Sequence, residues 1–172
     1  MCPLVNGLDI IIQDNNWLNH NIDYSKIFNE IFLKLTKTLN IENIIETIDI
    51  PVLMTNDNEI TQLNLNYRNK NQPTNVLSFN YFSSLDEIKQ NLTTDEETIC
   101  IGEIAISYET IIKETKEQNK SLENHLLHIF LHGILHILGY DHIKPEEAET
   151  MEKLEIEILS YFNIPNPYET LT

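Results

Sequence analysis

The chain has 172 residues, 41% hydrophobic and 22% charged, enough for one core without disulfide or metal staples. That composition excludes a collagen-like chain and a globally disordered one. Eleven Lys and Arg against 27 Asp and Glu give a formal net charge of −16, which excludes strong nonspecific nucleic-acid binding, so any such role needs a local cationic site or a protein partner.

The start, Met1-Cys2-Pro3-Leu4, has neither a basic n-region nor an apolar h-region, so no signal peptide is expected. Leu8 to Ile12 reads as a first strand. Ser25 is placed to cap a helix whose apolar residues Ile27, Ile31, Leu35 and Leu39 recur every four. Ile44 to Met54 alternates as a second strand, and Asp57 starts a helix through about Tyr67, with Ile60, Leu63 and Tyr67 inward. Val76–Phe82 and Ile99–Ser107 read as two antiparallel strands. The polar, acidic stretch Ser83–Thr98 between them reads as a mobile loop. Helices are expected over about Tyr108–Asn119, Ser121–Leu138 and Pro145–Phe162, the last with proline in its first turn. This order predicts an α+β fold, a mixed four-stranded sheet covered by helices in a single domain over residues 1–172. No apolar run reaches the ~18 residues of a membrane span. Cys2 and Cys100 have no metal-type spacing and make a poor disulfide framework, so a soluble, cytoplasmic protein without membrane contact is expected.

Five of the six histidines fall between His125 and His142. His132 and His136 lie four apart, so on a helix they share a face and both imidazoles reach one ion. Gly139 ends a helix at no steric cost, and the returning chain presents His142 as a third ligand. Three neutral imidazoles leave a divalent ion its full charge and an open position, which is the catalytic arrangement. Zinc, one ion per chain, suits these donors first, although nickel and copper accept imidazole too. His128 is about 12 Å of helix rise from His136 and cannot join the trio. It reads either as a partly buried, hydrogen-bonded residue or as a group beside the active site. His125 reads as solvent-facing, and the glutamates 146, 147, 149, 152, 155 and 157 as a solvated helix face. Asp141 either orients a ligand imidazole or caps the turn.

The spacing H-x3-H-x5-H with its glycine is that of metalloproteases of the H-E-x-x-H-x-x-G-x-x-H type. Those carry a glutamate base at the second position, where this chain has Gly133. A related scaffold running a different reaction is therefore expected.

The run His132-Gly133-Ile134-Leu135-His136-Ile137-Leu138-Gly139-Tyr140-Asp141-His142 resembles the signature of the bacterial YbeY family. Leu63-Asn64-Leu65-Asn66-Tyr67-Arg68, the segment Pro73 to Phe79, Gly102-Glu103-Ile104, Glu149 to Glu155 and Pro167-Tyr168 are similar to that family as well. Asn71, Asn75 and Glu103 stand where it usually has aspartate, and Asn80 where it usually has proline. The resemblance implies a zinc metalloprotease-like fold and a zinc-dependent, single-strand-specific endoribonuclease. It further implies a role in ribosomal RNA maturation, notably at the 3′ end of the small-subunit RNA, and in ribosome quality control. Zinc would be held by His132, His136 and His142, with Arg68 as a functional arginine. Arg68 stands out independently as the one guanidinium beside ten lysines, and its fork suits a phosphodiester. It is also placed to cap the end of its helix. Ser78, Thr74 and Asn75 either line the cleft or serve strand-edge and turn chemistry. The expected partners are ribosomal RNA and a small-subunit ribosomal protein or assembly GTPase. A zinc peptidase and a noncatalytic ribosome assembly factor are the competing readings.

Overall fold

The computed structural model describes residues 7–92 and 98–169. Its strands are β1 (Leu8–Ile12), β2 (Ile48–Thr55), β3 (Val76–Asn80), β4 (Ile99–Cys100) and β5 (Gly102–Ser107). Its helices are α1 (Tyr24–Thr38), α2 (Asp57–Arg68), α3 (Leu85–Asn91), α4 (Tyr108–Glu117), α5 (Leu122–Ile137) and α6 (Pro145–Tyr161). The sheet runs β1-β2-β5-β3, with β1, β2 and β5 parallel and β3 antiparallel to β5. The two-residue β4 adds to β2 off this path. The expected mixed sheet of four principal strands covered by helices is therefore present, with the expected antiparallel pair.

Period-two burial explains the sheet's position. Ile48, Ile50, Val52 and Met54 of β2 point into the core, while Asp49, Pro51 and Leu53 point away. Against the buried face lies α5, apolar nearly all round through Leu126, Leu127, Phe130, Leu131, Ile134, Leu135 and Ile137. Such a helix can only be central. Phe28 of α1 stacks on Phe130 at 4.2 Å between ring centroids, closing the layer beyond it. Among the described residues no helix is long and apolar enough to cross a membrane.

Several boundaries differ from the sequence reading. The first helix is capped by Asp23, which accepts from the Lys26 amide at 3.0 Å, rather than by Ser25. Glu42–Thr47 is a 3-10 turn, because Ile44 and Ile45 are both buried and adjacent strand residues cannot share one face. Asn56, not Asp57, caps α2 by accepting from Glu59 at 3.0 Å, and Tyr67 is 70% exposed rather than inward. Part of the expected loop at Ser83–Thr98 is α3, capped by Ser84 and pinned by the buried Ile88; residues 93–97 of that stretch lie outside the described residues. The strand expected at 99–107 breaks at Ile101. There Gly102 approaches so closely that a Cβ would lie 2.5 Å from Ile137 Cδ1 and 2.7 Å from the Phe79 carbonyl oxygen.

Candidate metal centre

The centre is built by the end of α5 and the turn that follows it. Gly139 N–H donates to the His136 carbonyl and Tyr140 N–H to the Leu135 carbonyl, both at 3.0 Å, in a Schellman closure. Gly139 has φ +95°, and a Cβ there would sit 2.7 Å from Ser84 Cα, so conformation and space both demand glycine. The chain then folds back and carries His142 to the two helical histidines. Ring centroids lie 4.7 Å apart for His132–His136, 5.4 Å for His132–His142 and 4.9 Å for His136–His142.

Hydrogen bonds fix which nitrogens face inward. His132 Nδ1 lies 2.8 Å from Glu155 Oε1, and His136 Nδ1 lies 3.0 Å from the Tyr140 carbonyl. Both partners are acceptors, so in the neutral rings both Nδ1 atoms carry the proton and both Nε2 atoms keep a lone pair. Those two Nε2 atoms are 3.1 Å apart. Two lone pairs facing each other at that distance repel unless a cation joins them; donors about 2.1 Å from a tetrahedral ion are themselves about 3.4 Å apart. One ligand atom from each of the three histidines fits within a 4.8 Å spread. The donor set thus fits a divalent ion. Burial, together with the nearby His132 and His142, pushes His136 below the ordinary imidazole range, which favours the neutral form a ligand must have.

Around the trio the structure sorts the remaining candidates. Asp141 does two jobs: its Oδ1 accepts from the His142 backbone N–H at 2.7 Å and lies 3.3 Å from that ring's Nδ1. The trio sits in an open cleft of about 720 Å³ lined also by Arg68, Thr74, Asn75, Ser78 and His128. Arg68, at the end of α2, lies exposed with Nη2 3.5 Å from the Ser78 carbonyl. Ser78 Oγ donates to the Gly133 carbonyl at 3.1 Å and ties β3 to α5. Asn75 Nδ2 donates to both Glu114 carboxylate oxygens, at 3.1 and 3.2 Å. A Cβ on Gly133 would meet Ser78 Oγ at 3.1 Å and Val76 Cγ2 at 3.3 Å. This helix face therefore packs closely on β3, and a side chain at 133 would require Ser78 and Val76 to shift.

Three readings are corrected. His125 is not solvent-facing: its side chain is 3% exposed and Nε2 lies 2.6 Å from Glu114 Oε2. Glu155 does not belong to a solvated face; it is fully buried and holds His132. Its signal was the α6 stripe Met151, Leu154, Ile158, Leu159, which places position 155 on the buried side. His128 is partly buried as expected and lines the cleft, yet neither nitrogen has the expected hydrogen-bond partner. Nε2 stands 3.8 Å from Glu155 Oε1, and burial pushes the ring down to about 4. For Glu114, burial alone would raise the carboxyl, but hydrogen bonds from His125 and Asn75 bring it below its ordinary value.

Comparison with known proteins agrees with this geometry. The family model described as endoribonuclease YbeY matches residues 11–163. A curated endoribonuclease YbeY from Francisella philomiragia is 46% identical over 120 residues, 70% of this chain and 73% of that one. Another from Bartonella quintana is 39% identical over 166 residues, 96% of this chain and 98% of that one. The solution structure of TM1509 from Thermotoga maritima superposes with a TM-score of 0.52 at 24% identity, covering 95% of this chain and 99% of that one, a likeness of fold. With the family model spanning most of the chain and the histidine trio assembled in the cleft, the chain belongs to the YbeY family of endoribonucleases.

Proposed function

We propose that the chain cuts single-stranded ribosomal RNA as a zinc-dependent endoribonuclease, in small-subunit 3′-end maturation and ribosome quality control in the cytoplasm. Residues 1–172 act as one domain. The observation that carries the reading is the pair of Nε2 lone pairs 3.1 Å apart, facing an open cleft that Arg68 also lines.

His132, His136 and His142 hold one ion. When bound, it would supply Lewis acidity for a phosphoryl oxygen and lower the pKa of the attacking group, a water or a substrate hydroxyl. The chain's own residues do the rest. Arg68 binds the phosphodiester as a planar fork and opposes the charge that builds on its oxygens during cleavage. Asp141 and Glu155 orient His142 and His132 through their Nδ1 sides. Ser78 keeps the cleft wall at a fixed distance from α5 through its bond to Gly133.

At net charge −16, affinity for free RNA is weak, so a small-subunit ribosomal protein or assembly GTPase delivers the substrate. Glycine at 133, where the protease motif has its glutamate base, argues against a peptidase. The test incubates the zinc-loaded full chain with single-stranded RNA, with ribosomal subunits and with casein, with and without chelator. RNA cleavage that chelator abolishes and intact casein are expected. Casein cleavage would establish the peptidase instead. Intact RNA even with subunits present would establish a noncatalytic assembly factor.

A further inference from the structure

The buried carboxylate of Glu155 has two partners, one on each oxygen. Oε1 faces His132 Nδ1 at 2.8 Å, and Oε2 accepts from the Tyr168 hydroxyl. His128 Nε2, at 3.8 Å from Oε1, is outside hydrogen-bond distance, so the carboxylate belongs to His132 and Tyr168. Tyr168 lies thirteen residues beyond Glu155, and a built turn brings it back. Asn163 takes a left-handed conformation at φ 57°, and Ile164 N–H then bonds the Leu159 carbonyl at 3.0 Å while Ile164 is buried. Tyr168 N–H bonds Asn166 Oδ1 at 2.9 Å. The Tyr168 ring stands edge-on to His128, 5.7 Å between centroids, and forms part of the cleft wall.

We propose that Glu155 and Tyr168 are positioning residues of the metal centre, and that docking of the segment Ile164–Glu169 and metal binding strengthen each other. This rests on the reading that the three histidines bind a divalent ion. A cation at His132 makes its Nδ1–H a stronger donor and draws on the negative charge of Glu155. That charge in turn needs the Tyr168 hydroxyl, because a buried carboxylate oxygen without a donor is costly. The chain of bonds runs from Tyr168 in the cleft wall through the fully buried Glu155 to the Nδ1 side of the ligand ring His132. Coupling between two binding events is reciprocal, so whatever loosens the segment weakens the metal, and whatever removes the metal loosens the segment.

The experiment titrates zinc into the metal-stripped full chain against a chromophoric chelator, for wild type, Glu155→Gln, Tyr168→Phe and the double variant. Amide hydrogen exchange of residues 164–169 is followed with and without zinc. Tyr168→Phe keeps the ring and its packing, so it separates positioning from mere structural support. The wild type should bind one equivalent. Glu155→Gln should weaken binding about 10- to 100-fold, as expected when the partner of a ligand imidazole loses its charge. Tyr168→Phe should weaken it roughly fivefold, the low end of coupling between sites. The double variant should bind no more weakly than Glu155→Gln alone, since the hydroxyl acts through the carboxylate. Zinc should slow exchange at 164–169 in wild type and not in Glu155→Gln. Wild-type affinity in either folded single variant, additive losses, or exchange indifferent to zinc would overturn the proposal. A wild type that binds no zinc would instead overturn the metal reading beneath it.

Discussion

Helix α5 carries two histidine–carboxylate pairs seven residues apart, about 10 Å of helix rise, each with one buried partner, His125 in the first and Glu155 in the second. His125 faces Glu114 at 2.6 Å and His132 faces Glu155 at 2.8 Å. The pairing chemistry is the same, and the consequences are opposite. His125 uses Nε2 for its carboxylate and leaves Nδ1 sealed in the interior without a partner. His132 uses Nδ1, which leaves Nε2 aimed at His136 and the cleft. A histidine near a carboxylate is thus a clamp between helices or a metal ligand according to which nitrogen is spent and where the other points. The first pair ties α4 to α5, and Asn75 of the loop before β3 joins it through Glu114. The second ties α6 to the cleft.

Substitution at each end breaks the comparison most sharply. His136→Ala, which removes the nitrogen facing His132, should abolish stoichiometric zinc and lower RNA cleavage by more than about 10³-fold, beyond what loss of one charge-stabilising donor costs. Metal analysis beside a cleavage assay checks both. Arg68→Lys should keep zinc and fold yet lose about 10²-fold in kcat/KM, because a point charge replaces a fork aimed at the phosphate. Cleavage by Arg68→Lys at the wild-type rate would remove that side chain from the reaction.

The same contrast explains what the amino-acid order reveals. The ligand trio is legible because its geometry is local: a four-residue helical interval, a glycine closure, and three further residues to His142. The sheet and the long helices are legible for the same reason, since burial on one face imposes a period. Glu155 is harder to read, because its partner lies 23 residues away and the other glutamates of α6 are solvated; only the stripe Met151, Leu154, Ile158, Leu159 marks its face as the covered one. His125 is misread because the packing of α4 on α5, a tertiary matter, decides that it is covered. Helix α3 escapes because a seven-residue helix with one fully buried residue carries almost no periodic signal.

At the His125 end, His125→Ala should leave zinc binding unchanged and cost about 2–3 kcal/mol of stability, less than a fully buried pair because Glu114 retains some solvent contact. A shift in denaturant midpoint at constant m-value measures it. An equal loss of zinc from His125→Ala would mean that the two pairs act as one site.

His128, between the two pairs, sharpens the comparison through pH. Burial holds its ring at about 4, against an ordinary value near 6.5 in the unfolded chain. Between those values the unfolded chain binds a proton that the folded chain refuses, so stability falls as pH drops through the window and is level above it. The contribution amounts to about 2–3 kcal/mol over the window. Comparing unfolding curves of wild type and His128→Leu, both with metal removed by chelator, isolates it, because the two chains differ only at that ring. The wild type should lose more stability than the variant between pH 6.5 and 4 and run parallel to it at higher pH. Parallel curves throughout would mean that His128 is protonated in the fold, and a charged ring so close to Glu155 would then compete with His132 for the same carboxylate oxygen.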